Sequence, residues 1–312
     1  MAIRIFCEAP DRASLNGGTE SSVPTLRRRP DARSVVAVAS GRGGVGKSAI
    51  CINMAAALAM TGRKVALVDA DLNSPALFSM LGLKPLRRFA PSEAIDPASA
   101  ALGLRVVSST QLADGEPVAF SFVESEDAPV AAPQQNGASP LMIDPREALG
   151  RLLDARFGPV DLMLIDLASG LSPLHALVDL VELTGVVFVT RPSEACVRAT
   201  QDAIKLIEHD HVALLGLIEN MLGFSCDSCH AVRPLYPHGS LAALAQLSQA
   251  PVLARLPFDP RLADCAERGA LFIREYAEAP LAKQFAVMAA NLEQATARRA
   301  APAPTVDPIK IT

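Results

Sequence analysis

The chain has 312 residues, half of them hydrophobic, and a formal net charge of −4. This length suits one large α/β domain or two smaller ones, whereas the near-neutral charge and the lack of Trp argue against a nucleic-acid surface as the main function. Six cysteines with a single closely spaced pair do not form a secreted disulfide framework and favour a reducing compartment.

The amino-terminal segment, residues 1–33, is polar and mixed in composition and predicts a mobile tail. It has no apolar signal-peptide core, and the apolar run after the arginines of LRRRPDARSVVAVAS is too short for a twin-arginine signal. No apolar run in the chain reaches transmembrane length. We therefore expect a cytoplasmic protein without a membrane segment.

From residue 34 onward, apolar β-branched runs alternate with helical patterns. The predicted strands are 34–40, 64–70, 104–109, 160–168, 185–191, 212–219 and 251–257. The predicted helices are 47–60, 173–183, 194–208, 240–248 and 280–298. Strands without polar alternation are covered on both faces, and strand–helix alternation favours right-handed crossovers. The pattern predicts an α/β fold of three layers, α-β-α, with a mostly parallel central sheet over residues 34–298.

Two segments depart from this alternation. Residues 111–140 are rich in Pro, Ala, Ser, Gln and acidic residues, and we predict a flexible surface excursion there. Residues 299–312 predict a second mobile tail, at the carboxyl end.

A phosphate-binding pattern, G-x-x-x-x-G-K-[ST], follows the first predicted strand and precedes the first predicted helix. Its glycines allow backbone N–H groups to surround phosphate oxygens, and the helix N-terminus adds partial positive charge. We expect Lys47 to reach the β- and γ-phosphates of ATP and the Ser48 hydroxyl to bind Mg²⁺. The candidate nucleotide-binding residues here are Gly41, Arg42, Gly43, Gly44, Val45, Gly46, Lys47, Ser48 and Ala49.

The second residue of this loop, Arg42, gives it a particular character. The loop resembles the deviant Walker A motif, GKGGVGK[ST], of the MinD/ParA/nitrogenase-iron-protein group of dimeric ATPases. In that group a lysine at this position reaches the nucleotide of the partner subunit. Arginine keeps the positive charge, and its guanidinium group can donate two hydrogen bonds to phosphate oxygens. The resemblance implies that Arg42 acts in catalysis across a dimer, and the alternative is a solvated loop arginine.

Acidic residues stand at the ends of two predicted strands. Asp69 and Asp71 end the second strand, and Asp166 ends the apolar run LMLID. Ligands of open α/β sheets bind at this edge. The resemblance implies that Asp69 holds a magnesium-bound water, that Asp71 orients the attacking water, and that Asp166 is the Walker B acid. The candidate magnesium residues are Ser48, Asp69 and Asp166. The candidate catalytic residues are Lys47, Asp71 and Arg42.

Cys226 and Cys229 form a Cys-x-x-Cys pair followed by His230. The sequence CDSCH suits c-type haem attachment, half of a zinc site, a redox pair or half of an iron–sulfur site. Haem attachment normally needs export, and a thioredoxin-like pair would follow the first strand. Zinc and iron–sulfur both accept four thiolates, so the residues alone leave these two open. The remaining cysteines within helical patterns are predicted to be packed thiols: Cys51, Cys196 and Cys265.

Several further motifs, which occur in order along the chain, indicate a particular family within this group of ATPases. They are Asp69-Ala70-Asp71 with Pro75, Asn220-Met221, the cysteine pair after Gly-Phe, and Leu256-Pro257-Phe258-Asp259-Pro260. Together with the phosphate loop they resemble the Mrp/ApbC family of iron–sulfur cluster carrier ATPases over about residues 34–290. The resemblance implies a homodimer whose two cysteine pairs supply four thiolates to a bridging 4Fe–4S cluster. It also implies that Asn220 and Pro257 frame the adenine.

The chain departs from the family pattern at the switch segment, where Asp-x-Pro-Pro-Gly-Thr-Gly-Asp is replaced by DLASGLS, residues 166–172. The sequence therefore supports nucleotide binding more firmly than hydrolysis. We expect a homodimeric, Mg-ATP-binding scaffold with weak ATPase activity that passes its cluster to apo iron–sulfur client proteins, without nucleic-acid or membrane partners. The alternatives are a MinD/ParA-like regulatory or positioning ATPase, with a structural metal or none, and a catalytically inactive nucleotide-binding protein with a zinc-stiffened dimer.

Overall fold

The computed structural model describes residues 27–84, 89–90, 92–112, 118–119, 141–142, 144–225, 232–236 and 241–300. Its strands, in chain order, are β1 (Ala32–Ala39), β2 (Val65–Ala70), β3 (Ala98–Ser99), β4 (Arg105–Ser108), β5 (Val118–Ala119), β6 (Leu141–Met142), β7 (Val160–Leu167), β8 (Gly185–Thr190), β9 (Leu214–Glu219), β10 (Gly223–Ser225), β11 (Val232–Pro234) and β12 (Val252–Arg255).

An eight-stranded sheet forms the centre of the domain, in the order β12-β9-β8-β1-β7-β2-β4-β3. Every neighbouring pair is parallel except β3 with β4 at one edge. β5 pairs with β6 outside this sheet, and β10 and β11 form an antiparallel hairpin. The prediction of a mostly parallel central sheet is confirmed.

Helices cover both faces of the sheet. They are α1 (Lys47–Met60), α2 (Leu77–Met80), α3 (Pro145–Leu153), α4 (Leu171–Leu180), α5 (Glu194–His209), α6 (Leu241–Ser248), α7 (Pro260–Arg268), α8 (Phe272–Glu275) and α9 (Pro280–Ala300), with 3₁₀ turns at Ala101–Gly103 and Ser109–Gln111. No helix within the described ranges is both long and apolar enough to cross a membrane.

The alternation of side chains along β1 divides the core into two halves. Val36 and Val38 pack with residues of α1, α2 and α7 to α9, whereas Val35 and Ala37 pack with residues of α3 to α6. Successive side chains of a strand point to opposite faces. This packing confirms the predicted three layers.

Two helices begin at Asp-Pro pairs and were not predicted. Asp144 caps α3 by accepting the Arg146 N–H at 2.8 Å, with Pro145 as the first helical residue. Asp259 and Pro260 start α7 in the same way. Proline at the first position of a helix loses no backbone bond and sets the backbone angle.

The folded domain begins before the predicted boundary at residue 33. β1 starts at Ala32. Arg28 forms a parallel bridge with Val181, and its guanidinium pairs with Asp154. The tail prediction was too long because these backbone groups find partners on the domain. Residues 1–26, most of the 111–140 excursion and residues 301–312 lie outside the described residues, so their predicted mobility stays a prediction.

Candidate functional site

The predicted nucleotide residues converge on the carboxyl edge of the sheet. The phosphate loop, residues 41–46, connects β1 to α1, and β1 lies between β8 and β7. Asp69 on β2 and Asp166 on β7 are register partners across neighbouring strands. Open α/β sheets bind ligands in the crevice outside the carboxyl ends of their strands. The topology thus brings the loop and both acids together.

Glycine is required at several points of the phosphate loop. Gly44 and Gly46 have φ angles of 73° and 84°, in the left-handed region where a side chain is strained. Gly46 directly precedes α1, so the first N–H groups of that helix open toward the loop. A Cβ at Gly41 would collide with the backbone of Ala199 and Thr200 in α5. The loop therefore offers backbone N–H groups to an anion.

Lys47, the first residue of α1, forms a buried ion pair with Asp166. Its ammonium nitrogen donates to Asp166 Oδ1 at 2.8 Å, and the two side chains are 8% and 1% exposed. Charges removed from water at this depth need a partner. An ammonium group has three donors, so two remain for phosphate oxygens while the pair is intact.

Asp69 is fully buried, and its two carboxylate oxygens differ in their surroundings. Oδ2 accepts the Leu77 N–H at 3.0 Å and the Ser108 hydroxyl at 3.1 Å. Oδ1 is buried and has no hydrogen-bond partner among the described residues. Burial, together with the nearby Asp166 carboxylate, raises the pKa of Asp69 to about 7. The two hydrogen bonds fix the carboxylate and leave one oxygen available.

The residues at this edge fit a magnesium ion. Asp166 Oδ2, like Asp69 Oδ1, is buried and has no hydrogen-bond partner in the part of the chain that the structure describes. Ser48 follows Lys47 in the first turn of α1. Among the described residues no group of three or more His, Cys, Asp or Glu side chains comes together. A cation here would take further ligands from Ser48, from phosphate and from water, as Mg²⁺ does in phosphate sites.

Asp71 lies just beyond β2 and is half-buried. Its Oδ1 accepts the Ser74 N–H at 3.1 Å within its own loop. Burial raises its pKa, and the charge of Lys47 acts in the opposite direction. The structure thus brings Asp71 to the site, at the solvent side of the buried acids. Its role toward an attacking water stays a prediction.

Arg42 extends from the exposed face of the phosphate loop. Within the described part of the chain its guanidinium has no hydrogen bond or ion pair, so it remains available to a second molecule. The altered switch segment lies beside it. A Cβ at Gly43 would be 3.4 Å from Ser169 Oγ, and the Gly170 N–H donates to the Ser40 carbonyl at 3.0 Å. The replaced residues therefore still touch the loop.

Asn220 is buried and contacts the last residues of the phosphate loop, Val45 and Gly46. Its Nδ2 donates to the Val45 carbonyl at 2.9 Å, and its backbone N–H donates to the Thr190 carbonyl at 2.8 Å. Pro257 is half-buried between Leu256, whose N–H donates to the Glu219 carbonyl at 2.7 Å, and residue 258. The structure brings both predicted adenine residues to one place, and their contact with a base stays a prediction.

Cys226, Cys229 and His230 lie in the connection between β10 and β11, outside the described residues. The flanking hairpin is described, with Ser225 paired to Val232. The predicted packed thiols are confirmed as free and buried: Cys51, Cys196 and Cys265.

Three residues that contribute to this region were not found from the sequence. Ser108 fixes Asp69 across 39 positions of the chain. Arg191, at the end of β8, donates from Nη1 to the Tyr236 hydroxyl at 3.2 Å. Serine, arginine and tyrosine carry no motif of their own. Their partners are set by strand register, which a local pattern does not contain.

The chain is similar in sequence to proteins named for iron–sulfur cluster transfer or assembly. The sequence profile of the family described as "ParA: NUBPL iron-transfer P-loop NTPase" matches residues 31–125 and 145–293. The iron-sulfur cluster carrier protein of Aquifex aeolicus (strain VF5) is 30% identical over 285 residues, covering 88% of this chain and 71% of the relative. The cytosolic Fe-S cluster assembly factor NUBP2 homolog of Trichoplax adhaerens is 31% identical over 255 residues, covering 80% of this chain and 90% of the relative.

A solved structure has the same fold. The nucleotide-binding protein of Archaeoglobus fulgidus in complex with ADP superposes with a TM-score of 0.61 at 25% sequence identity. The superposition covers 82% of this chain and 92% of that one. The similarity therefore extends over most of both chains.

Proposed function

The chain belongs to the ParA family of NUBPL iron-transfer P-loop NTPases, and from this membership we propose that it binds Mg-ATP and carries an iron–sulfur cluster for delivery to other proteins. The observation that carries the proposal is the family match over residues 31–125 and 145–293, which includes the phosphate loop, both buried acids and the cysteine pair. Relatives that match 88% and 80% of this chain are named as a cluster carrier and as an assembly factor.

Nucleotide binding is supported by the form of the phosphate loop. The left-handed glycines open a ring of N–H donors, and Lys47 stands at the base of the loop with two free donors. These groups suit the β- and γ-phosphates of ATP. Asn220 and Pro257 are the residues we assign to the adenine side of the site.

Magnesium binding is supported by the two orphaned carboxylate oxygens. We assign Asp69, Asp166 and the Ser48 hydroxyl to the ion, directly or through its bound water. When bound, Mg²⁺ neutralises negative charge on the transferred phosphate. The contribution of the chain is to hold the two carboxylates fixed, one by Lys47 and the other by Leu77 and Ser108.

Hydrolysis of ATP to ADP and phosphate is proposed to be weak. Asp71 would orient the attacking water, and Arg42 of a partner subunit would stabilise charge on the phosphates. The switch segment, residues 166–172, has lost the prolines and the second acid of the family pattern. We infer that binding, rather than rapid turnover, is the main use of the nucleotide.

The cargo is proposed to be a 4Fe–4S cluster on Cys226 and Cys229 of two subunits. A cluster of this type takes four protein thiolates, and each chain offers two in the motif. A two-fold symmetric homodimer supplies the missing pair. The labile, shared site suits transfer to apo iron–sulfur proteins, which we propose as partners in the cytoplasm.

Anaerobic reconstitution with iron and sulfide tests the proposal, read by visible absorption, iron content and molecular mass. We expect about four irons per dimer, abolished in the double variant Cys226→Ala/Cys229→Ala. Cys265→Ala, which alters a buried thiol of α7, is the matched control and should retain the iron. Purification with zinc, or no iron uptake by the wild type, would reject the carrier function and favour a regulatory ATPase.

A further inference from the structure

A cavity of about 450 Å³ lies at the amino edge of the sheet, where β1, β8 and β9 begin. Its lining includes Val35 of β1, Thr184 just before β8 and Ala213 just before β9. The phosphate loop follows the opposite end of β1, and a strand of eight residues is about 25 Å long. The cavity is therefore separate from the nucleotide site, and its size is that of a small-molecule site.

Three arginines from separate parts of the chain line this cavity. Arg29 precedes β1, Arg33 lies on β1, and Arg299 belongs to the last turn of α9. Among the described residues the one acidic side chain of the lining is Glu182, which pairs with Arg29. Arg33 Nε is 3.7 Å from Asp161 Oδ1. Arg299 has no hydrogen bond or ion pair within the described ranges, so its guanidinium is available to a ligand.

The positive lining is a local feature of the molecule. The whole chain has a formal net charge of −4, so the cavity is not part of a generally basic surface. A cleft lined by charges of one sign concentrates counter-ions from solution. We therefore expect anions to collect at this edge of the sheet.

His211 also lines the cavity, and its backbone conformation is unusual for a histidine. Its φ angle is 57°, in the left-handed region that favours glycine. It follows α5, where the Val212 N–H donates to the Ile207 carbonyl at 2.8 Å and the His211 N–H to the Glu208 carbonyl at 3.2 Å. Glycine is the usual residue at this point of a helix end. A histidine here costs stability and places an imidazole at the cavity, a combination typical of functional sites.

The chemistry of these side chains suits oxyanions. Guanidinium groups donate paired hydrogen bonds to carboxylate and phosphate oxygens. A neutral imidazole donates from one ring nitrogen. Because the arginines come from separate elements around a cavity of about 450 Å³, they match a molecule with several anionic groups better than a single small ion.

We propose that this cavity binds a small polyanion, a molecule of metabolite size with two or more carboxylate or phosphate groups, and that Arg299 and His211 recognise it. The inference goes beyond the proposed function, since it assigns a second ligand site at the opposite edge of the sheet. It depends neither on the nucleotide nor on the cluster. Carboxylate and phosphate share the required chemistry, and the experiment distinguishes them.

Calorimetry with the full chain tests the proposal. The phosphate loop is first occupied with saturating Mg-ADP, and free Mg²⁺ is held constant because polyanions chelate it. Citrate is the carboxylate probe, fructose 1,6-bisphosphate the phosphate probe, and acetate the control with a single charge. We expect at least one polyanion to bind with a Kd below about 1 mM and acetate to bind far more weakly. The tighter probe identifies the preferred oxyanion.

Two neighbouring arginines provide a matched pair of variants. Arg299→Ala should weaken binding of the tighter probe about tenfold, because a hydrogen bond from a charged donor is lost. Arg298→Ala removes the preceding exposed arginine of α9, which does not line the cavity, and should keep the wild-type affinity. Both variants lower the net charge equally, so a general electrostatic effect would weaken binding in both alike.

His211→Gly separates recognition from folding. Glycine relieves the left-handed backbone, so the urea midpoint should be equal to or higher than that of the wild type. Loss of the imidazole should nevertheless weaken binding about threefold. Hydrogen exchange locates the site, because the tighter probe should slow exchange in residues 28–35, 209–213 and 296–300.

The outcomes are distinct from those of the carrier proposal. Weaker binding in Arg299→Ala and His211→Gly, with urea midpoints no lower than that of the wild type, supports the site. No binding of either polyanion to the wild type, wild-type affinity in Arg299→Ala, or equal losses in the two arginine variants would overturn it. Iron uptake on reconstitution should be the same in the wild type and Arg299→Ala, so either proposal can fail without the other.

Discussion

Asp69 and Asp166 are register partners on neighbouring parallel strands, and each has one buried carboxylate oxygen that no described residue hydrogen-bonds. The remaining oxygens are held, by Lys47 for Asp166 and by Leu77 and Ser108 for Asp69. Two buried acidic side chains are thus held side by side, and Lys47 is the one buried cation among the residues that the structure describes. This arrangement costs stability in the free protein and is relieved by a bound cation.

The raised pKa of Asp69 makes stability depend on pH. Its pKa is about 7 in the folded protein, against about 4 for an unfolded aspartate. The folded state therefore binds the extra proton, and this stabilising contribution is complete below about pH 4 and lost as pH rises through 7. Without ligands, unfolding free energy should fall by up to about 1.4 kcal/mol per pH unit across this window.

Urea denaturation between pH 5 and 8, compared for the wild type, Asp69→Asn and Asp202→Asn, measures this dependence. Asp69→Asn should lose the slope, whereas Asp202→Asn, an exposed residue of α5, should keep it. Saturating Mg-ADP should flatten the slope of the wild type, because the ion favours the carboxylate. An identical slope in the wild type and Asp69→Asn would show that Asp69 is not the titrating group.

Removal of Lys47 should destabilise the free protein as well as abolish nucleotide binding. Lys47→Met leaves Asp166 buried without its cation, at a cost of about 3–5 kcal/mol. The double variant Lys47→Met/Asp166→Asn should recover most of this loss in urea denaturation but none of the nucleotide binding in calorimetry. If Lys47→Met and Lys47→Met/Asp166→Asn had the same free energy of unfolding, the unpaired Asp166 carboxylate would not be the cause of the destabilisation.

Ser108→Ala should weaken the response to magnesium. Loss of the hydroxyl leaves Asp69 Oδ2 with the Leu77 N–H alone, so the carboxylate is less well fixed. Groups that orient metal ligands are typically worth about 10–100-fold in metal affinity. The measurement is ADP affinity with and without Mg²⁺. The magnesium-dependent gain should shrink about tenfold, with metal-free affinity unchanged.

The neighbouring serine supplies the control for that experiment. Ser109 is also buried, and its hydroxyl contacts the Leu72 carbonyl at 3.4 Å, away from both acids. Ser109→Ala should leave the magnesium-dependent gain intact. Equal effects of the two substitutions would point to general loosening of this edge.

Asn220→Ala should weaken nucleotide binding through the phosphate loop. The Val45 carbonyl would lose its buried donor, a loss typically worth about 1–3 kcal/mol, and the loop would be less well fixed. We expect nucleotide affinity to fall about tenfold or more in calorimetry. The control is Asn291 on α9, whose side-chain amide donates to the Leu253 carbonyl at 2.9 Å. The nucleotide affinity of Asn291→Ala should match that of the wild type.

The sequence was most informative where chemistry and backbone conformation are local. α1 was predicted with the bounds it has, Lys47–Met60, because the phosphate loop fixes its start and the segment after Met60 its end. The strands that carry Asp69 and Asp166 were also found, since their apolar runs leave few alternatives. These elements position the predicted phosphate and magnesium residues.

The site contacts that the sequence did not predict depend on parts of the chain that are distant in sequence. Ser108 meets Asp69 because β2 and β4 pair in one particular register. Arg191 meets Tyr236 because the hairpin folds back onto the end of β8. α3 and α7 each begin at an Asp-Pro pair, which is a local signal for a helix start. Register, in contrast, is a property of the assembled sheet.

The central position of β1 has a consequence for how the chain is made. Val36 pairs with Leu164 on one side and with Gly185 on the other, so this strand gains its neighbours more than a hundred residues after its own synthesis. Contacts of such long sequence separation slow folding. Until they form, an apolar strand has two open edges, a hazard for association between nascent chains. We expect its emergence from the ribosome to be the stage at which this protein most depends on chaperones.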